Sequence, residues 1–253
     1  MTSIHLAEAT VRVPLPGRGE REILAPTTLT LTEQRVAVIG ANGSGKSTLA
    51  RLLNGLVRPS AGKVTVAGLD VVRDGAAVRR MVGFCFTDPA AQLVMPTCVE
   101  DVELSLRRTV SGSAARRERA LSVLAANGLE EHAHDSVHSL SGGQRQLLAL
   151  AGVLATEPSV VVADEPTTLL DRANTRRIGD ALLALTQQLV LVTHDLELAA
   201  RCDRVVVIDD AHVVADGAPA ESIAHYTALV DETTPRPSSP PLRSSEQRRG
   251  DPG

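Results

Sequence analysis

Short runs of β-branched and aliphatic residues alternate along the chain with longer stretches whose apolar positions recur every three or four residues. Arg35–Gly40, Val82–Phe86, Val160–Asp164, Leu189–Thr193 and Arg204–Asp209 are apolar on both faces of a strand repeat, which predicts buried strands. Lys46–Val57, Gly143–Ala155 and Arg172–Gln188 carry the helical repeat. Strands buried on both faces between helices predict an α/β fold with a mainly parallel sheet. Two regions depart from the pattern. Residues 1–32 alternate like antiparallel strands (Val11/Val13, Leu29/Leu31), predicting a β flank. Residues of about 95–155 read as consecutive helices with no strand between them, predicting an inserted helical lobe. The expected division is a single domain over 1–232 followed by a tail over 233–253. Proline, serine and arginine dominate that tail, which buries too little apolar surface to order itself.

Composition narrows the chemistry. Hydrophobic residues make up 43% of 253 residues, yet the only rings of Phe, Tyr or Trp are Phe84, Phe86 and Tyr226. The core is therefore built from Ala, Val, Leu and Ile, and no stacked-aromatic platform for nucleic acid is available. A net charge of −4 gives no basic footprint either, so no nucleic-acid partner is expected. Cys85, Cys98 and Cys202 lack metal-ligand spacing and fit reduced thiols of a cytosolic protein. The first residues do not read as a secretory signal, and no apolar run reaches the length of a membrane span.

Gly40-Ala-Asn42-Gly43-Ser44-Gly45-Lys46-Ser47, followed by Thr48, matches the phosphate loop G-x-x-x-x-G-K-[ST] in the context it requires, after a strand and before a helix. Glycines let the loop wrap a phosphate with its N–H groups inward, and the helix start adds its dipole. Lys46 supplies a cation to the β- and γ-phosphates, and Ser47 a hydroxyl ligand for Mg²⁺. Downstream, the strand Val160–Asp164 ends in two acids. Buried acids need an offsetting charge, which makes Asp164 the Mg²⁺ anchor. Glu165 is placed to orient or deprotonate the attacking water.

Leu140-Ser141-Gly142-Gly143-Gln144 opens the helix that leads into the carboxylate strand. The order phosphate loop, LSGGQ, Asp-Glu resembles the ATP-binding cassette (ABC) ATPases over about residues 3–230. The resemblance implies a RecA-like phosphate-loop core, a switch histidine at His194, and a D-loop at Thr167–Asp171 that brings Asp171 to the nucleotide. It also implies a head-to-tail dimer in which each ATP lies between one subunit's phosphate loop and the other's signature. The physics agrees, because the Ser141 hydroxyl and the N–H groups of a helix start form a second anion site on the chain.

Phe86-Thr-Asp-Pro-Ala-Ala-Gln92 through Pro96-Thr97 and Glu100-Asp101-Val102 looks like the segment after the Q-loop in ATPases of energy-coupling-factor (ECF) importers. Met95–Thr97, Thr167–Asp171 and His194–Leu198 look most like the biotin-importer type, with cobalt or nickel importers the nearest rival. The resemblance implies a Mg²⁺-dependent ATPase on the cytoplasmic face of the membrane. Its expected partners are a transmembrane coupling subunit and a substrate-capture membrane subunit. A soluble cassette serving protein or iron–sulfur cluster assembly would carry the same motifs without those partners.

Two departures stand out. The Q-loop glutamine aligns with Thr87, whose shorter side chain reaches Mg²⁺ only through water, leaving Gln92 as a second candidate for the contact. The adenine-stacking position before the phosphate loop falls at about Val13, with no ring in residues 1–83. His132, His134 and His138 fall in the polar connector before the signature and are not read as a zinc site. The basic run Arg116–Arg119 reads as a solvated helix face.

Overall fold

The computed structural model describes residues 2–17 and 19–233. The tail predicted over 233–253 therefore lies outside the described residues, apart from Thr233, which ends the last helix.

Strands β1 (Ile4–Leu15) and β2 (Gly19–Leu31) form an antiparallel hairpin, and β1 pairs on its other edge with β4 (Ala61–Val66), itself paired with the short β5 (Leu69–Asp70). This four-stranded sheet is the predicted β flank, completed by two strands from after the phosphate loop. The second sheet has the order β10-β9-β3-β8-β7-β6. Its members are β3 (Arg35–Ile39), β6 (Val82–Cys85), β7 (Val160–Asp164), β8 (Gln188–Val192), β9 (Arg204–Asp209) and β10 (His212–Gly217). The first five run parallel, and β10 turns back antiparallel on β9.

Alternation along these strands divides the apolar residues between two cores. Val36, Val38, Val160, Val162, Val190, Val192 and Val206 face the β flank and helix α1 (Lys46–Leu53). Ala37, Ile39, Val161, Ala163, Leu189, Leu191 and Val207 face the helices on the other side. The helices are α2 (Gly75–Met81), α3 (Cys98–Leu106), α4 (Ser113–Ala126), α5 (Gly142–Leu154), α6 (Arg172–Leu183), α7 (Leu196–Ala199) and α8 (Pro219–Thr233). Helices α3 to α5, with two short 3-10 turns, make the predicted lobe. The one extended pairing inside it is an isolated bridge between Thr97 and Ser136.

The structure shortens two predicted helices, and the one predicted over Lys46–Val57 ends at Leu53. The helix predicted over Arg172–Gln188 ends at Leu183, and Gln188 begins β8, where its side-chain amide donates to the carbonyls of Leu31 and Glu33. The three cysteines are buried and unpaired, and burial pushes the thiol of Cys85 up to about 12. No helix among the described residues is long and apolar enough to cross a membrane.

Candidate nucleotide site

Strand β3 ends in the phosphate loop, and the loop's shape follows from what surrounds it. Gly40 has a φ of 148°, and a Cβ there would sit 1.9 Å from the carbonyl oxygen of Ile208, so only glycine lets β3 leave the sheet at this point. The β9–β10 turn braces the loop from outside. The Ala211 N–H donates to the Ser44 carbonyl at 3.0 Å, and the Ala211 carbonyl accepts from Ala25 of β2 at 2.8 Å.

Lys46 starts α1 with its side chain folded back into the loop. Its Nζ donates to the carbonyls of Gly40 and Ala41, both at 2.9 Å, and the residue is only 6% exposed. Burial lowers its pKa, opposed by attraction to Glu165 and Asp164. Ser44 is buried and its Oγ lacks a hydrogen-bond partner among the described residues. Asn42 and Gly43 lie exposed at the loop tip, while Gly45, Ser47 and Thr48 line a cleft of ≈ 290 Å³ with Gly43, Lys46, Arg21 and Ile23. A buried cation and an orphaned hydroxyl beside an open cleft fit a phosphate group.

Behind the loop, β7 delivers Asp164 with its side chain 1% exposed. Its Oδ1 accepts from the Ser47 hydroxyl at 2.8 Å, and its Oδ2 lies 3.5 Å from the Arg51 guanidinium of α1. Burial raises the carboxyl's pKa, and Ser47 and Arg51 only partly oppose the shift. A hydroxyl and a carboxylate side by side are hard oxygen donors of the kind Mg²⁺ takes, so the residues fit that ion. Arg51 was not singled out in the sequence. Its spacing of four residues from Ser47 on α1 puts both on one helix face, a signal that means nothing until Asp164 is known to lie opposite.

Glu165 adopts a φ of 52°, unusual outside glycine. Its Oε2 receives Nδ1 of His194 at 2.6 Å and the Thr168 hydroxyl at 3.0 Å. His194, just beyond β8, is 56% exposed at the side chain. The Thr87 hydroxyl donates to the main-chain carbonyl of Asp164 at 2.8 Å. Gln92 donates instead to the Ala149 carbonyl of α5 at 2.9 Å. The segment after β6 is therefore tied to the carboxylate strand at Thr87 and to the lobe at Gln92.

The remaining predicted residues form a second group. Ser141 caps α5, its Oγ accepting from the Gln144 N–H while Gln144 Oε1 accepts from the Ser141 N–H at 2.8 Å. Asp171 caps α6: its two oxygens accept from the main chain and side chain of Asn174 at 2.8 and 2.9 Å, which lowers its pKa. Asn174 packs where a Cβ on the buried Gly143 would sit, joining the two helix starts. Gly142 lies beside them. No hydrogen bond or ion pair among the described residues joins this group to the phosphate loop or to the carboxylate strand.

A cation held in a glycine loop, a metal-ready carboxylate behind it and a detached LSGGQ helix cap are the parts of a nucleotide-hydrolysing cassette. Comparison with known proteins agrees: the ABC transporter family matches residues 25–168, and the chain belongs to that family. A putative ABC transporter ATP-binding protein of Deinococcus radiodurans is 47% identical over 207 residues, 82% of this chain and 92% of that one. The biotin transport ATP-binding protein BioM of Rhizobium etli is 42% identical over 211 residues, 83% of this chain and 94% of that one. The structure of cbiO1 from Clostridium perfringens, part of the ABC transporter complex cbiONQ, matches with a TM-score of 0.75 at 29% identity. That match covers 90% of this chain and 93% of that one. The chain is an ATP-binding, ATP-hydrolysing subunit of an ABC transporter and resembles the ECF-type ATPases.

Proposed function

We propose that the chain energises solute uptake as an ATPase of an ECF-type importer, with biotin the favoured solute and a metal ion such as cobalt the runner-up. It works on the cytoplasmic face of the membrane, paired head to tail with a second ABC ATPase subunit, the same or different. The observation that carries the reading is the presence of two anion-ready groups on one chain with no bond between them. One is the loop from Asn42 to Thr48, and the other is Ser141 to Gln144. An ATP on the loop is enclosed when a second subunit supplies its signature cap. The relatives named for biotin transport and for the cbiONQ complex support the importer reading.

The geometry supports a role for each residue. Lys46, held among loop carbonyls, is released toward the β- and γ-phosphates as they enter, while Ser44 gains a partner for its hydroxyl. Ser47 and Asp164 would hold Mg²⁺, which would supply charge neutralisation to the phosphate oxygens. Glu165 takes the proton of the attacking water, with its carboxylate oriented by His194 and Thr168. His194 is bonded to Glu165 through Nδ1, which leaves its Nε2 for the γ-phosphate. Thr87 links Asp164 to the segment that Gln92 fastens to the lobe, so nucleotide at the carboxylate strand is reported toward the transmembrane partner. Asp171 and Asn174 keep the D-loop helix against the signature helix. The base lies against the flank at Val13 and Arg21, which face each other across β1 and β2.

Phosphate release by the purified protein should fall by about 10²- to 10⁴-fold in Glu165→Gln while nucleotide still binds. Affinity purification from membranes should bring down two membrane proteins, one of them the capture subunit. A preparation that hydrolyses ATP but never brings down a membrane protein sinks the importer reading. Uptake of labelled biotin against labelled cobalt decides the solute.

A further inference from the structure

The start of α5 is joined to a histidine that lies outside every motif. Nε2 of His132 stands 2.8 Å from the side-chain nitrogen of Gln144, and Nδ1 of the same ring stands 2.8 Å from Oδ2 of Asp135. We propose that His132 is a positioning residue for the signature motif, holding the Gln144 amide in the one orientation that caps Ser141.

The orientation follows from the bonding pattern. Gln144 Oε1 accepts from the Ser141 N–H, so Gln144 Nε2 is the atom that faces the ring and donates to it. The ring nitrogen that accepts must carry no proton. The Asp135 carboxylate secures this by accepting from Nδ1–H, which leaves the lone pair on Nε2. Asp135, His132, Gln144 and Ser141 thus form a directional chain of hydrogen bonds, and reversing any member turns a donor against a donor. Local geometry fixes the ring's place: the His132 N–H is bonded to the Leu129 carbonyl, and the Asp135 N–H to the His132 carbonyl. The ring is partly covered, with 34% of its side chain exposed.

The positioning role stands on geometry alone. Its effect on hydrolysis rests on the reading that Ser141 meets the partner subunit's ATP. The full chain, labelled with ¹⁵N, tests the role directly. Long-range nitrogen–proton spectra at neutral pH should show His132 as the Nδ1–H tautomer, and an Nε2–H tautomer overturns the proposal. Hydrogen exchange at the Ser141 amide should quicken about tenfold in His132→Leu. It should return to the wild-type rate in His132→Gln, whose side-chain oxygen can accept where Nε2 did. Unchanged Ser141 exchange in His132→Leu overturns the proposal whatever hydrolysis does. A folded Ser141→Ala chain that hydrolyses ATP normally removes the signature reading while the tautomer and exchange results still support His132.

Discussion

The phosphate loop and the signature cap, the two anion sites proposed above, are held by opposite means. Around the loop, the charged groups are buried and bonded to the chain itself: Lys46 sits among carbonyls, and Asp164 is sealed behind Ser47. At the signature, Ser141 is exposed and its cap is held by side chains at the surface. The first arrangement bears an electrostatic cost, because burial disfavours the charged forms of both Lys46 and Asp164. The second bears none, since an exposed helix cap is stabilising in its own right. On the proposed head-to-tail pairing, the site completed within one chain bears an electrostatic cost until its ligand arrives, whereas the one that completes another subunit is relaxed and open.

The sharpest way to break this contrast is nucleotide binding by the dilute single chain. Lys46→Ala should weaken it about 100-fold, the scale of a lost charge-assisted bond in a partly buried site, while Ser141→Ala leaves it unchanged. Titration with a fluorescent ATP analogue reads both, and equal losses would collapse the distinction. Next comes the base. Val13 is 38% exposed on the flank beside the cleft, so Val13→Tyr should tighten ATP binding about tenfold and separate ATP from GTP, which the wild-type chain should discriminate poorly. An existing strong preference for ATP, untouched by the ring, would remove this expectation.

Stability offers a test in which the two regions should differ in sign. Folding raises the proton affinity of Asp164, so its contribution to stability is present at acid pH and lost as pH rises through its folded value. Asp164→Asn should therefore raise the melting midpoint of the nucleotide-free chain at pH 7 by about 2–4 °C. The gain should vanish at pH values where the carboxyl is protonated in both states, and Mg²⁺ should no longer add to nucleotide-induced stabilisation. Ser141→Ala should lower the midpoint by a similar amount through its lost cap, about 1 kcal/mol. The smallest effect belongs to the link between core and lobe. Thr87→Val leaves the Asp164 carbonyl without its donor, which costs about 1 kcal/mol, and ATP occupancy should then stimulate transport less. Transport that still follows ATP fully would end the reporting role of Thr87.

Legibility in the sequence followed the same division. The strands Val160–Asp164 and Arg204–Asp209 were readable to the residue because strands buried on both faces are apolar without interruption. Strand β10 and helix α8 went unread: β10 sits on the sheet edge, where its burial alternates, and α8 carries only a weak apolar stripe. Gln188 was misplaced because a polar residue ending a helical repeat looks no different from one opening a buried strand. Neither the hydrogen bond from the Thr87 hydroxyl to the Asp164 carbonyl nor that from Gln92 to the Ala149 carbonyl of the lobe was legible in the sequence.

What the sequence determined by itself was every feature carried by neighbouring residues: the loop Gly40–Ser47, the acids at a strand end, the LSGGQ cap, and the order in which they occur. Each depends on backbone geometry within about one turn or one strand, and residue type together with spacing specifies that. The tertiary structure alone decided the partnerships across distance. These are Arg51 against Asp164, His194 on Glu165, His132 beneath Gln144, and the sorting of alternate strand residues into two cores. Those contacts depend on the packing of whole elements, and the strength of a polar pair depends on the burial that packing creates.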